Sequence, residues 1–255
     1  MSGFLTGRTS LTSVQTADIA DDAITLAKLA SGTDGQVITY DASGNPSVVG
    51  PGTDGQVLTS TGSGSPPAFE AASSPALSFV SSTTISGTST SGVEFTGIDN
   101  TSETWMVQIE GIHLASDVNV LQIQTSNDTS SHTYDSGASD YGWAVSGAYY
   151  SSCYCKYDAS DDSILMGADP YFVGNDATTS VSSRVFIHNP SVTTYHTLLS
   201  FNMWYQHTGA TPQAATTFGV GKRHATEAVT AVKFSITSGN FEDTGRFSLY
   251  KLAHS

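Results

Sequence analysis

The alternation of apolar and polar positions is clearest beyond residue 77. In Thr104–Leu114, Trp105, Val107 and Ile109 fall on one side and Met106, Gln108 and Glu110 on the other. That period of two is expected of a β-strand with one buried face. Residues 118–124, 142–157, 163–173, 183–188, 196–206, 217–222 and 229–236 give further short strand patterns, and Phe247-Ser248-Leu249-Tyr250 closes the series. Turn-forming residues separate the runs: Ser116-Asp117, Ser126-Asn127-Asp128, 158–162, Asn189-Pro190 and Ser238-Gly239-Asn240. No helix-length amphipathic run interrupts them. The spacing predicts an all-β head over residues 77–255, an antiparallel β-sandwich of jelly-roll-like style, large enough to bury a core.

The first 76 residues read differently. Thr16-Ala17-Asp18 offers helix-capping chemistry, and Ile19, Ala23, Leu26 and Ala30 follow at steps of four, three and four. This predicts one short helix within an N-terminal segment, 1–31, and a helix so short needs a partner surface or sister chains. Residues 32–76 carry an internal repeat. GTDGQVITYDASGNPSVVG at 32–50 returns as GTDGQVLTSTGSGSPPAFE at 52–70. Each copy reads as a Thr-Asp-Gly turn, a short strand, a Gly-containing turn and a proline. The apolar pairs Val37-Ile38 and Val57-Leu58 recur at a fixed offset, which an entropic linker would not need. Two such units cannot bury a core of their own. The expectation is a stalk in which several chains associate symmetrically through Ile19, Ala23, Leu26, Ala30, Val37, Ile38, Val57 and Leu58. A Ser-, Gly- and Pro-rich stretch at 60–78 then leads into the head.

Composition narrows the function classes. Only 13% of residues are charged, and 9 Lys+Arg against 23 Asp+Glu give a net charge of −14. The one basic run, Lys222-Arg223-His224, is isolated, so nucleic-acid binding and docking on anionic lipid are not expected. No segment is apolar enough to insert in a membrane, and residues 1–8 lack the apolar core of a secretory signal. Cys153 and Cys155 are too close in sequence for a mutual disulfide on a strand and read as a pair of free thiols. No catalytic signature is present, and no catalytic residue, metal site or cofactor is expected. Asp158, Asp161 and Asp162 form an acidic loop without the spacing of a calcium-binding hand. Tyr141, Trp143, Tyr149, Tyr150, Tyr154 and Tyr157 are the candidates for receptor contact, because Tyr and Trp give rigid amphipathic contact area. Tyr149 and Tyr150 must face opposite sides of a strand, so at least one packs inside.

Three elements of the sequence resemble appendage proteins of tailed bacteriophages. GTDGQVLTSTGSGSPPAFE resembles the Gly-rich element of tail fibres, TADIADDAITLAKLA resembles the segment that precedes it, and AVKFSITSGNFEDTGRFSLYKLA resembles the closing strands of β-rich phage domains. They cover about the first seventy residues and the last twenty-five, and the middle of the head carries no resemblance. The resemblance implies a non-enzymatic homotrimer on the exterior of the virion, made in the host cytoplasm. Its N-terminus would bind other virion proteins, and its head would meet a glycan or protein of the host surface. The first expectation is a short tail fibre or tail-tip protein. The alternatives are a capsid decoration or head-fibre (cement) protein and, last, a polysaccharide-degrading tailspike, which would need paired carboxylates in a cleft.

Overall fold

In the repeat, the residues that recur are those that build one turn. The computed structural model describes residues 19–21, 23–24, 31–73, 76–87, 90–98, 104–116, 119–149, 152–167, 173, 175, 179–207, 213–242 and 244–252. Within Thr33–Gln36 and Thr53–Gln56, the amide of each Gln donates to the Thr carbonyl at 3.1 Å. The Gln side chain folds back so that its Oε1 accepts from the Thr amide, at 2.8 Å in the first copy and 2.7 Å in the second. Gly35 and Gly55 take φ of 78° and 84°, a conformation that costs a glycine nothing and other residues about 1 kcal/mol or more. The turn is closed by its own side chain and needs no tertiary contact.

Each turn launches a two-stranded antiparallel hairpin. The first pairs β1 (Val37–Tyr40) with β2 (Pro46–Val49), and the second pairs β3 (Gln56–Thr59) with β4 (Ala68–Ala71). The Ser-, Gly- and Pro-rich stretch expected to be linker therefore contains the return strand of the second hairpin. These hairpins belong to a compact unit, residues 1–73, distinct from a second unit, residues 74–255. The helix expected over 16–30 lies largely outside the described residues, Leu26 and Ala30 included. Its five described members form a turn in which the Ala23 amide donates to the Ala20 carbonyl at 3.0 Å.

The second unit is all-β and antiparallel. Its large sheet runs β10 (Ser152–Asp161), β9 (Tyr141–Tyr149), β14 (Gln213–Arg223), β13 (Leu198–His207), β12 (Val181–His188), β7 (Thr104–Leu114), β17 (Arg246–Leu252) and β5 (Leu77–Thr84), with β16 (Phe241–Glu242) against the far end of β7. Its small sheet runs β11 (Ile164–Leu165), β8 (Leu121–Ser126), β15 (Ala231–Ile236) and β6 (Gly92–Thr96). The two sheets enclose one apolar core. Phe234 of the small sheet meets Phe247 of the large one with ring centroids 5.7 Å apart, and Phe241 packs on Phe247 at 5.3 Å. Each such ring contributes about 2–3 kcal/mol by leaving water.

Strand β7 shows how the sequence keeps its apolar residues inside. Trp105, Val107 and Ile109 are buried, and so are Ile112 and Leu114, although a strict period of two would turn the last pair outward. The step from Ile112 to Ile109 on β7 faces only Val181 to Ser183 on β12, so one extra residue is accommodated as a bulge. Gly111 takes φ of 61° there, and its amide donates to Ser182 Oγ at 3.2 Å.

Two sequence-based boundaries are corrected. The run at 142–157 is two antiparallel strands, β9 and β10, paired from Tyr149↔Ser152 onward, and no Gly, Pro or Asn in the sequence between them marks the break. Among the described residues of the run at 163–173, the strand is Ile164–Leu165, and Val173 forms an isolated bridge with Asn119.

Candidate functional site: an apolar outer sheet face

The outward face of a sheet with water on one side should be polar. In the large sheet it is apolar along one line that only Ser200 interrupts. The registers place Tyr157, Ala144, Val220, Ser200, Phe186, Met106, Tyr250 and Phe79 directly opposite one another, one from each of the eight strands in order. Tyr157 is 81% exposed, Phe79 61% and Val220 56%. Phe218 and Trp204 lie to one side of this row, Leu198 and Leu77 to the other, all exposed. Phe79 and Tyr250 meet edge to face, with centroids 5.7 Å apart.

Strand β9 shapes the face into a trough. Its outward residues, Gly142, Ala144, Ser146 and Ala148, are all small, while β10 raises Tyr157 on one side and β14 raises Phe218 and Val220 on the other. Two adjoining depressions result, of about 550 and 470 Å³, which share Ala144 and Val220. Cys155 opens into the second. Cys153 and Cys155 are both free and exposed, and their registers set them on this outer face.

The face is also nearly free of negative charge. Among the described residues that the strand registers turn outward, the carboxylates are Glu110, to which Arg246 Nη2 donates at 2.7 Å, and Glu242, which lies 3.8 Å from His113 Nδ1. Arg184 and Lys222 are on the same face, and Arg184 Nε donates to Gln108 Oε1 at 2.9 Å. The basic run Lys222-Arg223-His224 is not a patch. Lys222 points out, whereas Arg223 points in, is 2% exposed, and donates to Asp135 Oδ2 at 2.6 Å and to the Glu227 carbonyl at 3.0 Å. His224 Nδ1 lies 2.7 Å from the Ser139 carbonyl.

The aromatic candidates divide by strand parity. Tyr141 is fully buried; its hydroxyl accepts from the Thr125 amide at 2.7 Å, and burial pushes its pKa up to about 12. Trp143 is buried and donates through Nε1 to Asp161 Oδ2 at 2.8 Å. Tyr154 is buried with its hydroxyl on Thr217 Oγ1. These three belong to the core and are not available for receptor contact on the head surface. Tyr157 is displayed. Tyr150 and the side chain of Tyr149 lie outside the described residues. Asp158, Asp161 and Asp162 do not converge: Asp161 takes the Trp143 and Asp162 N–H groups, and Asp158 Oδ1 accepts from the Ser160 amide. Among the described residues no three His, Cys, Asp or Glu side chains are placed to share a metal ion.

Of the stalk candidates, Ile19, Val37, Ile38, Val57 and Leu58 are exposed, Ala23 is half-buried, and Leu26 and Ala30 lie outside the described residues. Ile38 and Val48 face each other across the first hairpin at 65% and 54% exposure, with Val37 and Tyr40 beside them. In the second hairpin, Leu58 faces Phe69, and Val57 lies on the other side. Ile24 is also exposed.

One polar pair on the face has the residues of a catalytic dyad. His188 Nε2 is 2.8 Å from Ser200 Oγ, and burial holds the His188 pKa below its usual value. Ser200 is mid-strand between β12 and β14, so the amides around it are engaged in the two ladders and offer no donors to a developing oxyanion. The pair fixes side chains on the sheet.

Phe218, Val220, Trp204, Phe186, Tyr250 and Phe79 were not singled out by their sequence. In Phe218-Gly219-Val220-Gly221 the large residues point out and the glycines point in, the reverse of what alternation suggests. The signal that could have found them is the glycine at every second position, which marks a strand pressed against another layer. The chain matches no family model, no curated protein and no solved structure.

Proposed function

We propose that this protein is a structural component of the exterior of a tailed-phage particle, a trimeric short tail fibre or tail-tip protein. Its N-terminal segment, 1–31, anchors it to other virion proteins; the hairpin repeats join three chains; and the β-rich head meets the host surface. Three weak sites on one stalk then gain avidity without any new contact. The observation that carries this reading is the repeat itself. Each unit folds as a lone two-stranded hairpin, which is marginal in water, and each leaves a cross-strand apolar pair, Ile38 with Val48 and Leu58 with Phe69, at the equivalent place. Copies of the same chain, side by side, supply the cover that one copy lacks.

The test is the double substitution Ile38→Asp, Leu58→Asp in the full chain. The reading expects the assembly to fall to single chains in sedimentation while the head's near-ultraviolet circular dichroism stays unchanged. An unchanged assembly would refute the role given to the hairpins.

A further inference from the structure

The apolar row on the large sheet needs an occupant, and we propose that it is the head of a second copy of this chain within the same assembly. The inference rests on the stalk reading for bringing the copies together, but its own support comes from the face.

Charge is the first argument. A chain of net charge −14 repels its own copies, and like charges brought together at an interface cost several kcal/mol. A face that accepts another copy must exclude carboxylates. The apolar row does so: the two outward carboxylates, Glu110 on β7 and Glu242 on β16, lie off the row, Glu110 paired to Arg246 and Glu242 beside His113, while Arg184 and Lys222 complement an acidic neighbour. Size is the second. Eight strands spaced about 4.8 Å apart make the row about 34 Å wide. Its exposed members and neighbours, Tyr157, Val220, Phe218, Trp204 and Phe79, are large apolar and aromatic side chains of the kind that protein interfaces cover. Chemistry is the third. The two depressions are walled by Ala144, Val220, Leu198, Phe218 and Tyr157. A saccharide would need dense hydrogen-bonding partners there, whereas apolar side chains of a protein fill such a trough directly. Tyr157 is then a contact between copies, and contact with the host falls to other parts of the head.

The two native thiols report on this face without modification of the protein. The full-length assembly is treated with a small maleimide, and labelling of Cys155 is followed by peptide mass spectrometry. The proposal expects labelling at least tenfold slower than in the Phe218→Asp, Val220→Asp variant, with a thermal melt confirming that the variant is folded. Should that variant not fold, Ile38→Asp, Leu58→Asp serves instead, since separating the chains must expose the thiol. Equal rates in the native assembly and the variant overturn the proposal, and a trimeric mass in that sample leaves the stalk reading standing. A single-chain mass for the native protein overturns both. Fast labelling that slows only when host envelope fragments are added assigns the face to the host and overturns the proposal as well.

Discussion

Tyr141 and Arg223 hold the loop at 127–140 against the end of the large sheet. The Tyr141 hydroxyl reaches Thr125 and the Asp135 carbonyl, and Arg223 reaches the Asp135 carboxylate. With its pKa raised from 10.0 to about 12 by burial, Tyr141 stays protonated in the folded protein where the unfolded chain has begun to ionise. The stabilisation it gives is complete below pH 10 and is lost as the pH rises towards 12, by about 2–3 kcal/mol. Alkaline titration of the melting temperature should therefore fall more steeply between pH 10 and 12 in the native protein than in Tyr141→Phe; parallel curves would remove the assignment. Arg223→Ala should cost about 3 kcal/mol in denaturant unfolding, because it strands Asp135 beside the core. Arg223→Lys should recover little, since a point charge cannot donate to Asp135 and the Glu227 carbonyl as the planar fork does.

At the scale of elements, local chemistry decides what was readable from the sequence. The turn of the repeat was legible because Thr, Gly and Gln close it among themselves. The strand pattern of Trp105, Val107 and Ile109 was legible because one face is fully buried. The bulge at Gly111 was not, since its cause is the count of residues on the neighbouring strand β12. The pairing of β9 with β10 was hidden for a similar reason: pairing with β14 fixes β9, and the sequence between the two strands carries no turn signature. The apolar outer face was hidden because alternation assigns large residues to the core, and only the packing of Ile164 and Phe201 against Gly221 and Gly219 reverses it. Of the aromatic candidates, sequence could give the strands but not which face of each strand met the core. A β-branched residue at the bulge tests the element directly: Gly111→Val should lower stability by about 1–3 kcal/mol, and equal unfolding midpoints would show that the positive φ is not required.

At the scale of the molecule, two units with opposite economies share one chain. The head has its own core, whereas the hairpins of residues 32–73 leave most of their apolar side chains in water. An account in which association of chains completes the hairpins explains why the repeat is kept while its units are too small to fold alone. The most direct test is the mass of the full-length protein by sedimentation equilibrium across a range of low micromolar concentrations. The account predicts three times the 26.6 kDa chain mass, independent of concentration; a single species at the mass of one chain would contradict it.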